Sequence, residues 1–352
     1  MPSEFALLEK QVTKNKTPFV QYAFFDGTGV IKEYSNGYAD IAKRHPVDDE
    51  SVFPVFSVTK TFTALAILQL FEKGGIAMNA PVSQYLSDLP AENGITVMHL
   101  LTHTAGLANP LPINWIHTSS EHSSFDRNEF FKPIIRKSMK GAKPGKRFRY
   151  SNIGYILLGQ VIESVSGMSY ETYVTKHILD RLTSPKAIIT FNPETLKLAT
   201  GYHKAQGISM LMLGVISNAR KYMVDAPKGW KAFLPVYING SSYGGLFANV
   251  GGMVKYGREL LSNQHALLTS PSYQRLFTEN LTTDNKPTGM CLSWFKGMLN
   301  GTEYYCHAGG GGGFYCELRL YPHISKGSFI VFNRSGFSDM RVLDKTDARF
   351  IS

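Results

Sequence analysis

Ser57-Val58-Thr59-Lys60 places a hydroxyl and an amine three residues apart. At the first turn of a helix, side chains with that spacing share a face. A serine hydroxyl is a weak nucleophile until a base takes its proton. A lysine held in a dry pocket loses basicity and can act as that base. Amide groups at the helix start would favour an anion forming at the reacting centre. The pattern alone is equally that of a helix cap with a surface lysine. It also recurs at Ser293-Trp294-Phe295-Lys296, a strand-like run where residues three apart project to opposite faces.

Tyr150-Ser151-Asn152 follows Pro144-Gly145 and precedes a helical run, so its phenol and amide belong to a turn. A tyrosine beside lysines can relay a proton as phenolate, and an asparagine amide can hold a substrate carbonyl. His307-Ala308-Gly309 ends a strand-like run and opens five consecutive glycines, Gly309 to Gly313. Glycines let a substrate approach the backbone and leave amides free to point at it. A phosphate loop would need a following lysine and hydroxyl, and Phe314-Tyr315 stands there instead. Gly240-Ser241-Ser242-Tyr243-Gly244 matches the G-x-S-x-G nucleophile elbow, with Asp284 and His307 downstream in the required order. An elbow needs a parallel sheet, however, and the repeated strand-helix units of such a sheet are missing.

The elements that must position these groups are legible at both chain ends. Residues 3 to 14 read as an amphipathic helix. Strand-like runs at Phe19 to Phe25 and Val30 to Tyr38 flank the turn Asp26-Gly27-Thr28-Gly29. A helix apolar on nearly every face opens near Ser57 and stops at Gly74-Gly75, which marks it as buried. Further strands are expected at Met290 to Leu299, Glu303 to His307, Phe314 to Tyr321 and Ser328 to Asn333. Helices are expected at Asn152 to Val165, within Gly244 to Leu261 and over Asp339 to Phe350. The expected fold is therefore mixed α/β, with residues 1–80 and 236–352 forming one discontinuous unit and a mostly helical block, 81–235, inserted between them.

With 43% hydrophobic and 18% charged residues, the 352-residue chain has an ordinary globular composition. A net charge of +10 permits an anionic partner, and Lys132 to Arg149 concentrates eight of the basic residues. No nucleic-acid module surrounds that run, so a solvated face is expected and nucleic acid is not. Cys291, Cys306 and Cys316 do not form a disulfide framework, and with His307 they match no standard zinc spacing. No cofactor or metal is expected. No run offers the roughly eighteen uninterrupted apolar residues of a membrane span. The amino terminus lacks a basic segment followed by an apolar stretch, so cytoplasm is the expected compartment unless a leader has been removed. The oligomeric state is not legible.

In order and spacing, Ser57-x-x-Lys60, Tyr150-x-Asn152 and His307-x-Gly309 resemble the motif triplet of the serine β-lactamases, DD-peptidases and related carboxylesterases. The connecting segments agree. Residues 95–107, containing Leu100-Leu101-Thr102-His103-Thr104-Ala105-Gly106-Leu107, are similar to the family's "LLTHTSGL" loop. Residues 144–155 are similar to its "PGxxFxYSNxGY" segment, and Gly244-Gly245-Leu246 to its "GGL" segment. The resemblance implies an antiparallel sheet flanked by helices. It implies Ser57 as nucleophile, Lys60 and Tyr150 sharing proton transfer, and Asn152, His307 and Gly309 on the substrate. The amides of Ser57 and Gly310 would then form the oxyanion hole.

His307 departs from the family, because β-lactamases of classes A and C carry the lysine of KTG at this position. An imidazole, with an ordinary pKa of about 6.5 against about 10.4 for lysine, holds a substrate carboxylate poorly. The expected reaction is therefore short-chain ester hydrolysis through an acyl-enzyme. D-amino-acid peptidase or amidase activity comes second and β-lactam hydrolysis only as a side reaction. The reading from another class is an idle binding protein on the same fold.

Overall fold

The computed structural model describes residues 4–90, 94–112, 114–206, 210, 221–262, 264–336 and 341–351. A seven-stranded antiparallel sheet is built from both chain ends. Its strands are β1 (Phe19–Asp26), β2 (Val30–Asp40), β3 (His45–Pro46), β4 (Phe295–Leu299), β5 (Thr302–Gly311), β6 (Phe314–Tyr321) and β7 (Lys326–Phe332). Their order across the sheet is β4-β5-β6-β7-β1-β2-β3. The central pair joins the ends of the chain directly, with Tyr22 opposite Ile330.

Two strands differ from the sequence expectation. The run from Met290 is extended only from Phe295 onward, because Ser293 adopts a left-handed φ of 69° and breaks it. Strand β5 does not stop at His307 but continues through Gly309, Gly310 and Gly311, paired with Cys316, Tyr315 and Phe314. The glycine run is thus largely strand, and only Gly312 and Gly313 make the turn.

Helices α1 (Ala6–Thr13), α2 (Thr59–Glu72), α3 (Arg127–Met139), α4 (Asn152–Ser166), α5 (Val250–Leu261) and α6 (Arg341–Asp347) supply the main packing. Residues Thr59 to Leu70 of α2 are all buried, as its all-round apolar pattern requires. The Phe62 ring stacks on Tyr256 of α5 at 4.0 Å. Helix α5 lies close on the sheet, since a Cβ at Gly257 would come within 2.5 Å of the Phe25 ring. One apolar cluster runs from Phe25 and Leu318 of the sheet through Leu65 of α2 to Leu157 of α4. Besides helices α3 and α4, residues 81–235 hold a small antiparallel sheet of Tyr202–Lys204, Trp230–Phe233 and Met223–Ala226. Among the described residues, no helix is long and apolar enough to cross a membrane.

On the far face of the sheet a buried carboxylate docks the carboxyl-terminal helix α6. Asp347 accepts hydrogen bonds from Tyr22 Oη (2.8 Å), Tyr321 Oη (2.7 Å) and Ser328 Oγ (2.6 Å). Burial outweighs these donors and raises its pKa to about 6. The folded state therefore keeps a proton that the unfolded chain, with a carboxyl near 3.9, has lost. Stability from this group is full below about pH 4 and falls as pH rises to 6, by at most ~3 kcal/mol. Many other carboxylates run the opposite way, so the difference between two proteins is the measurement. Thermal melts of wild type and Asp347→Asn from pH 4 to 7 should show the wild type losing stability relative to the variant as pH rises. Parallel curves would refute the assignment.

Candidate active site

Ser57 lies in a single 3-10 turn, Phe56–Val58, that runs into α2. Phe56 has φ of 45°, a costly conformation for a side chain with a Cβ, which turns the chain sharply and leaves Ser57 partly exposed. The turn is strapped from outside by the Gly244-Gly245-Leu246 segment. Val55 N–H donates to Leu246 O (2.9 Å), and Leu246 N–H donates to Thr59 Oγ1 (3.2 Å).

Lys60 is fully buried one helical turn on, with Nζ 3.0 Å from Ser57 Oγ. Its amine donates to the carbonyl oxygen of Tyr243 at 2.8 Å. The rings of Tyr150, Tyr243 and Tyr155 surround it at 5.0, 5.3 and 5.6 Å. Among the described residues no carboxylate pairs with this amine, and burial holds its pKa well below the ordinary lysine value. Tyr243 was invisible to motif reasoning because its contribution is a backbone oxygen.

The 102–106 loop clamps the Tyr150 segment. His103, at φ of 55°, accepts Ser151 N–H on Nδ1 (3.1 Å), and its carbonyl accepts Arg149 N–H (2.7 Å). Its ring packs 4.3 Å from that of Tyr150. Thr104 O takes Gly145 N–H at 2.8 Å, completing the clamp. Tyr150 Oη reaches His307 Nε2 at 3.4 Å and lies within hydrogen-bonding reach of Ser57. Burial raises the Tyr150 pKa, so the group is a neutral phenol and not the phenolate that its neighbouring lysines suggested. Asn152, the first residue of α4, turns into the cleft, and its Oδ1 is buried without a hydrogen-bond partner.

His307 is fully buried, and its Nδ1 lies 2.5 Å from the carbonyl oxygen of Ser293. A carbonyl only accepts, so Nδ1 carries the proton and Nε2 is left to accept from the Tyr150 hydroxyl. Burial, and next the nearby Lys60, push its pKa down to about 3 against the hydrogen bond to Ser293. The imidazole is neutral and committed on both nitrogens. Ser293, read above as a chance copy of the motif, orients His307 through its backbone, while Lys296 turns away to pair with Glu303 at 2.6 Å.

The glycine strand divides into two roles. A Cβ at Gly309 would lie 2.1 Å from Val55 O, so this residue is glycine because β5 presses on the chain just before Ser57. Gly309 thereby packs under the turn. Gly310 lines the cleft, together with Ser57, Asn152 and Tyr243. Strand β4 pairs β5 only as far as Cys306, so the β5 edge beyond it is open on that side. The cleft has a volume of about 1060 Å³.

The remaining candidates separate from this site. Ser242 of the elbow pattern is buried in a one-turn helix, its carbonyl oxygen held by Thr63 Oγ1 at 2.7 Å. Asp284 is at the surface beside Lys146 (3.8 Å), so no elbow triad forms. Cys316 Sγ donates to Val55 O at 3.5 Å, and among the described residues no His, Cys, Asp and Glu group is arranged to hold a metal. All eight basic side chains between Lys132 and Arg149 are exposed.

Fold and cleft together are of the serine β-lactamase and penicillin-binding type. The chain belongs to the beta-lactamase family, whose pattern matches residues 5–351. It is 33% identical over 155 residues to penicillin-binding protein 4* of Bacillus subtilis, covering 44% of this chain and 34% of that protein. To protein flp of Staphylococcus aureus it is 30% identical over 184 residues, covering 50% and 36%. The chain thus spans about a third of the length of these relatives. Among solved structures it is similar to an octameric penicillin-binding protein homologue from Pyrococcus abyssi, with TM-score 0.81, 23% identity and coverage of 99% and 76%. It is also similar to a D-amino acid amidase from Ochrobactrum anthropi SV3, with TM-score 0.74, 19% identity and coverage of 99% and 98%.

Gly309→Ala is expected to push the Ser57 turn away from β5. A displacement near 1 Å at a reacting group costs on the order of 10² in rate. Ester turnover and fluorophosphonate labelling of Ser57 should both slow by about that factor in a variant that still folds, checked by circular dichroism. Unimpaired labelling would show that the contact with Val55 does not set the turn.

Proposed function

We propose that the protein is a serine hydrolase that cleaves carboxylate-free esters, and secondarily amides, through an acyl-enzyme on Ser57. The observation that carries this reading is the uncompensated, buried Lys60 amine 3.0 Å from Ser57 Oγ. Desolvation favours its neutral form, whose lone pair takes the hydroxyl proton as Ser57 Oγ bonds to the substrate carbonyl carbon. The carbonyl oxygen becomes an oxyanion held by the amides of Ser57 and Gly310. As the bond to the leaving group breaks, the Tyr150 phenol protonates that group, and the Lys60 ammonium restores the phenol. Water then attacks the acyl-enzyme by the same route in reverse and releases the acid. Asn152, which lines the cleft, orients the acyl portion by donating from its side-chain amide N–H.

The preference for neutral substrates rests on His307. An imidazole neutral at physiological pH and engaged by Ser293 and Tyr150 offers a substrate carboxylate neither charge nor donor. The carboxylate that β-lactams and DD-peptides present is therefore not recognised there. The D-amino acid amidase similarity supports the amide as the second substrate class.

Only the neutral amine accepts the proton, so kcat/KM rises with pH as Lys60 deprotonates. Because burial lowers that pKa, the rising limb lies well below the ordinary lysine value of about 10.4. Turnover of p-nitrophenyl butyrate against pH should show this limb. Lys60→Ala should lose about 10²–10⁴ in kcat/KM, and Ser57→Ala should lose fluorophosphonate labelling altogether. Labelling that survives in Ser57→Ala and vanishes in Ser242→Ala would overturn the assignment, as would nitrocefin outpacing every ester.

A further inference from the structure

The cleft is far larger than a short acyl group, and its walls are built for an apolar chain. Its volume of about 1060 Å³ is room for roughly thirty water-sized groups at ~30 Å³ each, whereas acetyl or butyryl supplies two to four heavy atoms of chain. One wall of the cleft is apolar, formed by Phe56, Phe233, Leu234, Val236, Ile238 and Phe247, while Asp40, Lys43, Asp48 and Lys197 line another part of it. At its mouth Leu234 is 38% exposed, and Leu111, next to the lining residue Pro112, is 68% exposed. Such side chains at a rim are what a chain entering from water would cover.

The arrangement also says which half of the ester lies there. Ser57, Asn152, Tyr243 and Gly310 face the cleft, but Lys60, Tyr150 and His307 do not line it. The leaving group must sit by the Tyr150 phenol that protonates it, so the cleft, lined by Asn152 and Gly310 and not by Tyr150, takes the acyl half.

We infer that the physiological substrates carry a medium or long unbranched acyl chain, of about eight carbons or more, seated along the Phe56–Phe233–Val236 wall. The inference rests on Ser57 forming an acyl-enzyme, and it revises the short-chain preference drawn from sequence. A buried methylene is worth about 0.8 kcal/mol, close to a fourfold gain each when fully covered.

The test is a p-nitrophenyl ester series from acetate through butyrate and octanoate to laurate, below the micelle threshold. With one leaving group throughout, the chemistry stays constant and only the acyl chain varies. kcat/KM is expected to rise at least tenfold from acetate to octanoate, chiefly through KM. In Leu234→Asp the octanoate to acetate ratio should fall about tenfold, because a carboxylate would stand against the chain. A profile that peaks at acetate or butyrate, or a ratio unmoved by Leu234→Asp, overturns the chain-length inference. Stoichiometric fluorophosphonate labelling at Ser57 tells that outcome apart from failure of the acyl-enzyme reading, in which labelling is lost as well.

Discussion

Keeping an amine dry beside a hydroxyl is the condition on which the rest of this structure turns. A lysine side chain is buried only at considerable cost unless it is paired or gives up its proton. Here, among the described residues, no carboxylate pairs it. Lys60 has one carbonyl acceptor, one hydroxyl and three aromatic faces. Such a pocket favours the neutral amine, and it can be kept only if α2 is covered on every side. The sheet, α4, α5 and the 243–248 segment supply that cover.

Three backbone segments then fix the geometry around the amine. The 243–248 strap holds the Ser57 turn, the 102–106 loop holds Tyr150, and the bend at Ser293 fixes the tautomer of His307. The strap and the Ser293 bend act through main-chain atoms, and the 102–106 loop acts through the His103 ring as well as main-chain carbonyls. The positive φ values of Phe56, His103 and Ser293 fall at these three junctions. Strain of this kind persists where surrounding packing overrides it, and it gathers at sites that must hold one geometry.

His307 shows how one substitution in a shared framework can redirect chemistry. A lysine at the third motif would bring a charge next to Lys60. A histidine hydrogen-bonded on both nitrogens removes that charge and ties the position to Tyr150.

Much of this was legible along the chain. The union of both chain ends in one α/β unit and the buried character of α2 follow from periodicity, which is a local signal, whereas the grouping of Ser57, Lys60, Tyr150, Asn152 and His307 was implied by the resemblance of their ordered motifs to a known family. The rest depended on contacts between residues far apart in sequence. Periodicity could not show that β5 runs on through its glycines, since their reason is the Val55 oxygen more than two hundred and fifty positions away. Nor could it show that Tyr243 and Ser293 act through their carbonyls, because residue type says nothing about where a main-chain oxygen points. Residue identity determined which groups could react; tertiary packing shifted their pKa values, by burying Lys60, Tyr150 and His307 together.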